Sequence, residues 1–220
     1  MKKFNMACSV VAVITIALFL VTLSQNMTVR TTEVYSFYFN DSQAVSRLYT
    51  ELSSTEIADG IADFMNSWRP EEFQIYEDTG YDLQGIFDED EGYNMMCVKR
   101  CVDISTALGL AALLLTLAIY WHLIRCDEKK KLRNSFRVAL VISTGVSIAE
   151  FVALRSESGR AWLAEMLKLT ELDENSALMT ILGPDFISMA AVFFAILAVI
   201  VLAIFTYINY RLTRPDRIFY

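Results

Sequence analysis

Residues 104–124 read ISTALGLAALLLTLAIYWHLI; a basic stretch, RCDEKKKLRNSFR, follows at 125–137, and then VALVISTGVSIAEFVAL at 138–154. The first run is 21 residues without Asp, Glu, Lys or Arg. A helix rising about 1.5 Å per residue needs roughly 20 such residues to cross a hydrocarbon layer about 30 Å thick. The third run has 17 residues and contains Glu150, so it stands at the short end of the spanning range, where a re-entrant or buried helix competes. Reading it as a span keeps the Lys/Arg-rich segments at its two ends on opposite faces. Outward from this hairpin, Phe4–Leu23 and Phe186–Tyr210 are equally free of charge. The sequence predicts an all-α integral membrane protein with four transmembrane helices. An outer helical region joins spans 1 and 2, and an interfacial loop joins spans 3 and 4. The expected divisions are an anchor at 1–23, an acidic outer helical region at 24–103, the second and third spans with their basic turn at 104–154, an interfacial loop at 155–185, and the last span with a basic tail at 186–220.

Lys and Arg near span ends are retained on the cytoplasmic side. With the N-terminus inside, the inner segments 1–3, 125–137 and 211–220 hold 11 Lys and Arg in 26 residues, against 8 in the 111 residues of the outer segments. The expectation is a multi-pass protein of the cell membrane with both termini cytoplasmic. The outer segments hold 22 of the 26 acids, so the net charge of −7 belongs to the exterior. That excludes nucleic acid as a partner, because phosphate contacts need a basic face. Lys2 and Lys3 resemble the basic start of a signal peptide, but the apolar run is too long and Thr22-Leu23-Ser24-Gln25-Asn26 offers no small-x-small cleavage site, so an uncleaved anchor is expected.

The outer region reads as short helices rather than strands. Ser53 with Glu56 makes a capping box, and Ile57, Ile61, Phe64, Met65 and Trp68 recur at helical spacing up to Arg69-Pro70. With about 70 residues available, this apolar face is expected to rest on the membrane surface or on the outer ends of the spans rather than in a core of its own. Asp88 to Glu91 supply acids to a helix start, and Met95, Met96, Val98 and Val102 continue it into the second span. Arg160 to Leu169, with Trp162 near its start, has the pattern of a helix lying in the membrane interface. The run Ser176 to Ile187, around Gly183-Pro184, is expected to dip into that interface.

Chemistry is sparse. The one histidine, His122, stands beside Trp121 at the inner end of span 2, where it reads as an interfacial side chain. No Ser-His-Asp or Cys-His arrangement can be assembled on the outer side. Cys8, Cys97, Cys101 and Cys126 lack zinc spacing and read as packing residues, so neither metal nor cofactor is expected. Glu150 is costly inside a span and is a functional candidate for that reason, with pairing to Arg155 or Lys99 as its structural alternative. Glu91 and Asn94, three residues apart at a helix start, share a face.

The run Phe87-Asp88-Glu89-Asp90-Glu91-Gly92-Tyr93-Asn94-Met95-Met96-Cys97-Val98-Lys99, the basic inner turn, and Leu182-Gly183-Pro184-Asp185-Phe186 opening the last span together resemble the lipoprotein intramolecular transacylases. These are four-span bacterial membrane proteins, and the similarity of layout covers nearly the whole chain. The resemblance implies a motif of Phe, Arg-Glu and His-Met-x-Asp-Val-Lys. Phe87, Glu91, Met95, Val98 and Lys99 fit it. Asp90, Asn94 and Cys97 depart from it, standing where the motif has arginine, histidine and aspartate, and the second histidine of the family is missing near Ala161-Trp162. The family reaction moves an acyl chain from the glyceryl group of a diacylated lipoprotein to the amino group of its N-terminal cysteine. Such a transfer needs a base and oxyanion donors. Asn94 can donate a hydrogen bond but cannot act as a base. The expected function is that of a divergent, non-catalytic member binding membrane lipid or lipoprotein acyl chains at the outer leaflet. The alternative is an active acyltransferase in which Glu91 or Glu150 replaces the histidine, since a carboxyl in an apolar site can titrate nearer neutrality. Glu91, Asn94 and Glu150 are the candidate catalytic residues.

Overall fold

The computed structural model describes residues 2–48, 50–68, 72–78, 80 and 82–214. In chain order these form α1 (Lys2–Arg30), α2 (Thr32–Ser42), a 3-10 turn (Val45–Arg47), α3 (Ser54–Asn66), β1 (Tyr76–Asp78), β2 (Leu83–Gly85), α4 (Glu89–Arg125), α5 (Lys129–Arg155), α6 (Glu157–Leu167), α7 (Ala177–Leu182) and α8 (Pro184–Thr213). Four of the helices, α1, α4, α5 and α8, are long and apolar enough to cross a membrane. The protein is therefore an all-α, multi-pass membrane protein. Every span runs past its apolar stretch, α4 reaching 37 residues. Its first turn carries Glu89, Asp90 and Glu91 and its last turn Arg125, the charge order that suits the helix dipole.

The chain divides into two compact units. The first comprises Met1–Gln25, Ser105–Ala149 and Ala195–Tyr220. Ala12, Ile16 and Leu20 of α1 pack there with Ala112, Ile119 and Leu123 of α4, Leu132, Phe136 and Ala139 of α5, and Val201 of α8. Apolar burial gives little drive between helices in lipid, so close approach and interhelical hydrogen bonds carry the packing. Both are present. A Cβ on Gly109 would lie 2.5 Å from Thr22 Oγ1, Thr116 donates to Thr15 at 2.9 Å, and Ser135 donates to the Ser9 carbonyl at 2.9 Å. His122 is engaged here, its Nε2 lying 3.1 Å from Asn5 Oδ1. Asn5 Nδ2 in turn donates to Glu128 at 3.4 Å.

The second unit comprises Asn26–Ile104 and Glu150–Phe194. The Ser53 and Glu56 capping box forms as the sequence predicts, Ser53 N donating to Glu56 Oε2 at 2.8 Å and Glu56 N to Ser53 Oγ at 3.3 Å. The face of α3 packs on the ends of spanning helices, as one expected alternative had it, but within a fuller core than expected. Ile57, Ala58, Ile61, Ala62 and Met65 are wholly buried in a core with Tyr35 and Phe39 of α2, Phe73, Phe87, Met95 of α4, and Leu178 and Ile181 of α7. A region of about 70 residues builds this core because the segment between spans 3 and 4 contributes to it. The run Ser176 to Ile187 contributes Leu178 and Ile181 to the same core. It forms α7, capped by Ser176, whose hydroxyl accepts from Met179 N at 3.3 Å. Trp68 lies beyond the end of α3 and is 96% exposed, so it is not part of the buried face; Arg69-Pro70 falls outside the described residues. This unit also contains strands that the helical reading did not expect. β1 and β2 pair antiparallel, Tyr76 with Gly85 and Asp78 with Leu83. Gly80, at φ +78°, supplies the left-handed backbone of their connection. The helix predicted at Arg160 to Leu169 forms as α6, displaced towards the N-terminus, with no buried residue.

Candidate functional site

Phe87, Glu91, Met95 and Lys99 recur every four residues and are 4%, 2%, 3% and 0% exposed. Glu91, Met95 and Lys99 form one inward stripe at the start of α4, since residues four apart share a helix face, and Phe87 precedes the helix. Each has a defined structural partner. Phe87 lies against Phe73 with ring centroids 4.8 Å apart, and its backbone exchanges two hydrogen bonds with the Gln74 amide, at 2.7 and 2.9 Å. Met95 belongs to the core beside α3.

Glu91 is bonded at both oxygens. Oε2 accepts from Asp88 N at 2.8 Å while Asp88 Oδ1 accepts from Glu91 N at 2.8 Å, a reciprocal cap on α4. Oε1 accepts from Leu178 N at 2.7 Å in the first turn of α7. Asn94, one turn further along α4 and 5% exposed, uses both ends of its amide on one residue. Nδ2 donates to Thr170 O at 2.8 Å and Oδ1 accepts from Thr170 N at 2.7 Å. The two candidates are thus brought together, and both hold the segment between α6 and α7.

Glu150 is half-buried in α5, near its end. No hydrogen bond joins it to Glu91 or Asn94 among the described residues. Lys99, offered by the sequence as its partner, is committed elsewhere. Its Nζ donates to Ser67 O at 2.8 Å, reaches Met65 O at 3.4 Å and pairs with Asp103 at 3.3 Å. Arg30 joins the same group, with Asp103 at 2.7 Å and the Met65 carbonyl. Two cations therefore serve the carbonyls at the C-terminal end of α3, where the helix dipole favours positive charge. Arg30 and Asp103 were missed in the sequence, although Lys99 and Asp103 stand at readable i,i+4 spacing. Thr170 and Leu178 contribute only backbone groups, which no residue type announces. Beside the stripe, burial pushes the Tyr35 phenol well above its ordinary range, and it remains a donor to Val29 O at 2.5 Å. Among the described residues no group of His, Cys, Asp and Glu could hold a metal ion.

The arrangement defines a class: a four-span, all-α membrane fold with a separate core built from the connections after spans 1 and 3. Solved structures of that fold exist. Over 100% of both chains, at 12% identity and a TM-score of 0.75, the protein is similar to the membrane integral lipoprotein intramolecular transacylase Lit from Bacillus cereus, solved in meso. A histidine-to-arginine variant of that transacylase matches at a TM-score of 0.76 and 11% identity, over 98% of this chain and 95% of the other. A histidine-to-alanine variant matches at 0.72 and 12%, over 97% and 93%. The resemblance seen in the sequence is thereby shown at the level of the fold. No family model and no curated protein sequence matches the chain.

Proposed function

We propose that this protein is a non-catalytic relative of the lipoprotein intramolecular transacylases that binds lipid or lipoprotein acyl chains at the outer leaflet of the cell membrane, with both termini in the cytoplasm. One observation carries the reading. Asn94, at the position where the resemblance implies histidine, spends both ends of its carboxamide on the backbone of Thr170. A carboxamide takes no proton from an attacking amine at neutral pH, and acyl transfer to an amine requires that step. Glu91, the neighbouring candidate, accepts a backbone N–H at each oxygen, so its arrangement is that of a brace. The one histidine is in the other unit, against Asn5. The orientation rests on the Lys and Arg distribution, and the acyl ligand on the likeness of fold to proteins that act on acylated substrates.

Mass spectrometry of lipoprotein N-termini from cells with and without the protein tests the proposal. The diacyl form should persist unchanged in both. Conversion to the lyso form that depends on the protein would overturn the non-catalytic reading, and Glu91→Gln and Glu150→Gln would then separate the two carboxylates as the base.

A further inference from the structure

Arg133 and Arg137 stand one helical turn apart near the start of α5 and line a cavity of about 380 Å³ shared with the last turns of α8. The Nε of Arg133 is shut away from solvent without a hydrogen-bond partner. No ion pair reaches either guanidinium among the described residues. A buried guanidinium N–H without an acceptor is costly, and its fork geometry suits phosphate. The surrounding charge sharpens the point. Both arginines follow Lys129, Lys130 and Lys131 on α5. Glu128, the nearest acid in sequence, is taken up by Lys131 at 2.7 Å and by Asn5.

The rest of the cavity has another character. Phe136, Leu140 and Val141 of α5 and Tyr210 of α8 line it, and Val141 and Tyr210 are 70% and 55% exposed. The apolar wall therefore continues onto the outside of two spanning helices. Cations at one end and an open hydrocarbon wall at the other match an amphiphile, and basic pockets between spanning helices are a known mode of anionic headgroup recognition. We infer that this cavity binds one anionic glycerophospholipid, its phosphate between Arg133 and Arg137 and an acyl chain along Phe136, Leu140 and Val141. A free phosphate ion would use the arginines but leave that wall empty.

Native mass spectrometry of the full chain in detergent, with equimolar phosphatidylglycerol and phosphatidylcholine, tests this. The wild type should retain the anionic lipid over the zwitterionic one by about tenfold. The double variant Arg133→Gln with Arg137→Gln should lose the preference, while Lys129→Gln with Lys130→Gln, which removes equal charge outside the cavity, should keep it. Inorganic phosphate at millimolar concentration should not displace the lipid. Equal retention of both lipids, an undiminished preference in the arginine double variant, or displacement by inorganic phosphate would each overturn the assignment. Should the double variant fail to fold, Arg137→Gln alone, at an exposed position, must lower the preference, and an unchanged preference there refutes the site.

Discussion

The side-chain amide of Asn94 and the backbone of Thr170 hold each other by two hydrogen bonds, 2.8 and 2.7 Å long, across 76 residues of sequence. With Glu91 on Leu178 N, they fasten the segment between α6 and α7 to the start of α4. Asn94→Ala strands both partners on Thr170, at a cost of about 1–3 kcal/mol. Thermal unfolding in detergent should register that loss, and proteolysis within 168–176 should quicken. A variant as stable and as resistant as the wild type would mean that the fastening does not matter.

The same geometry bears on rebuilding a catalyst. Asn94→His with Cys97→Asp restores an imidazole and a carboxylate, but it breaks the hold on Thr170 and leaves Ala161, exposed on α6, without its histidine. In a diacyl-to-lyso conversion assay the double variant is expected to stay at background. Adding Ala161→His is the change expected to bring measurable conversion. Strong conversion by the unmodified protein would refute the premise.

Arg30, Asp103 and Lys99 make an asymmetric group, with two cations on one carboxylate. Asp103→Ala leaves Lys99 buried with only carbonyl partners and facing Arg30, and should cost about 2 kcal/mol or more after allowing for the partial exposure of Asp103. Lys99→Met removes the buried charge and leaves Asp103 paired with Arg30, so it should cost less. Melting temperatures in one detergent give the order, and the reverse order would contradict this account.

The cap of α3 should respond to acid. Hydrogen bonds from the Ser53 backbone and hydroxyl hold the Glu56 carboxyl below its ordinary range. A lowered native pKa contributes stability above the unfolded value of about 4.3 and loses it as pH falls through the native one. Amide exchange in the first turn of α3 should therefore accelerate below about pH 4. Glu56→Gln should flatten that dependence, and Ser53→Ala should cost about 1 kcal/mol at neutral pH. An identical pH profile in Glu56→Gln would exclude the carboxylate as its source.

The orientation can be read by thiol labelling in a background without native cysteines. Asp59 and Ser158 are exposed on α3 and α6, and Lys130 is exposed at the start of α5. Cysteines at the first two should react with an impermeant reagent added outside, and one at Lys130 should not. Ser135, further along α5, is unsuitable because it is 5% exposed and donates to Ser9 O. Labelling at Lys130 alone would invert the topology.

The spans were legible because a bilayer imposes a length and a composition that four runs of residues meet directly. The Ser53 cap was legible because its partners are three residues apart. The core of the second unit was not. Its helix α3 shows an apolar face, but the residues completing it, Leu178 and Ile181, lie over 100 positions away in a run whose composition equally suits an interface. The β1 and β2 pair has three residues per strand, too few for alternation to stand out. At the candidate site, the spacing of Glu91 and Asn94 was visible, whereas their use was not, since they bond to main-chain groups of Thr170 and Leu178. The motif residues Phe87, Glu91, Met95 and Lys99 prove to be buried, the last three along one face of α4, which explains how that part of the pattern can persist beside Asn94.

An imidazole gains and loses a proton between about pH 5 and 8, and a carboxamide does not. The junction between Asn94 and Thr170 is therefore indifferent to acidity across that range. Had the position carried histidine, the attachment of the intervening segment would vary with the acidity of the cell surface, tightening or slipping as the ring charged. With asparagine the fastening carries no charge to gain or lose, and this one joint holds alike in mild acid and at neutrality.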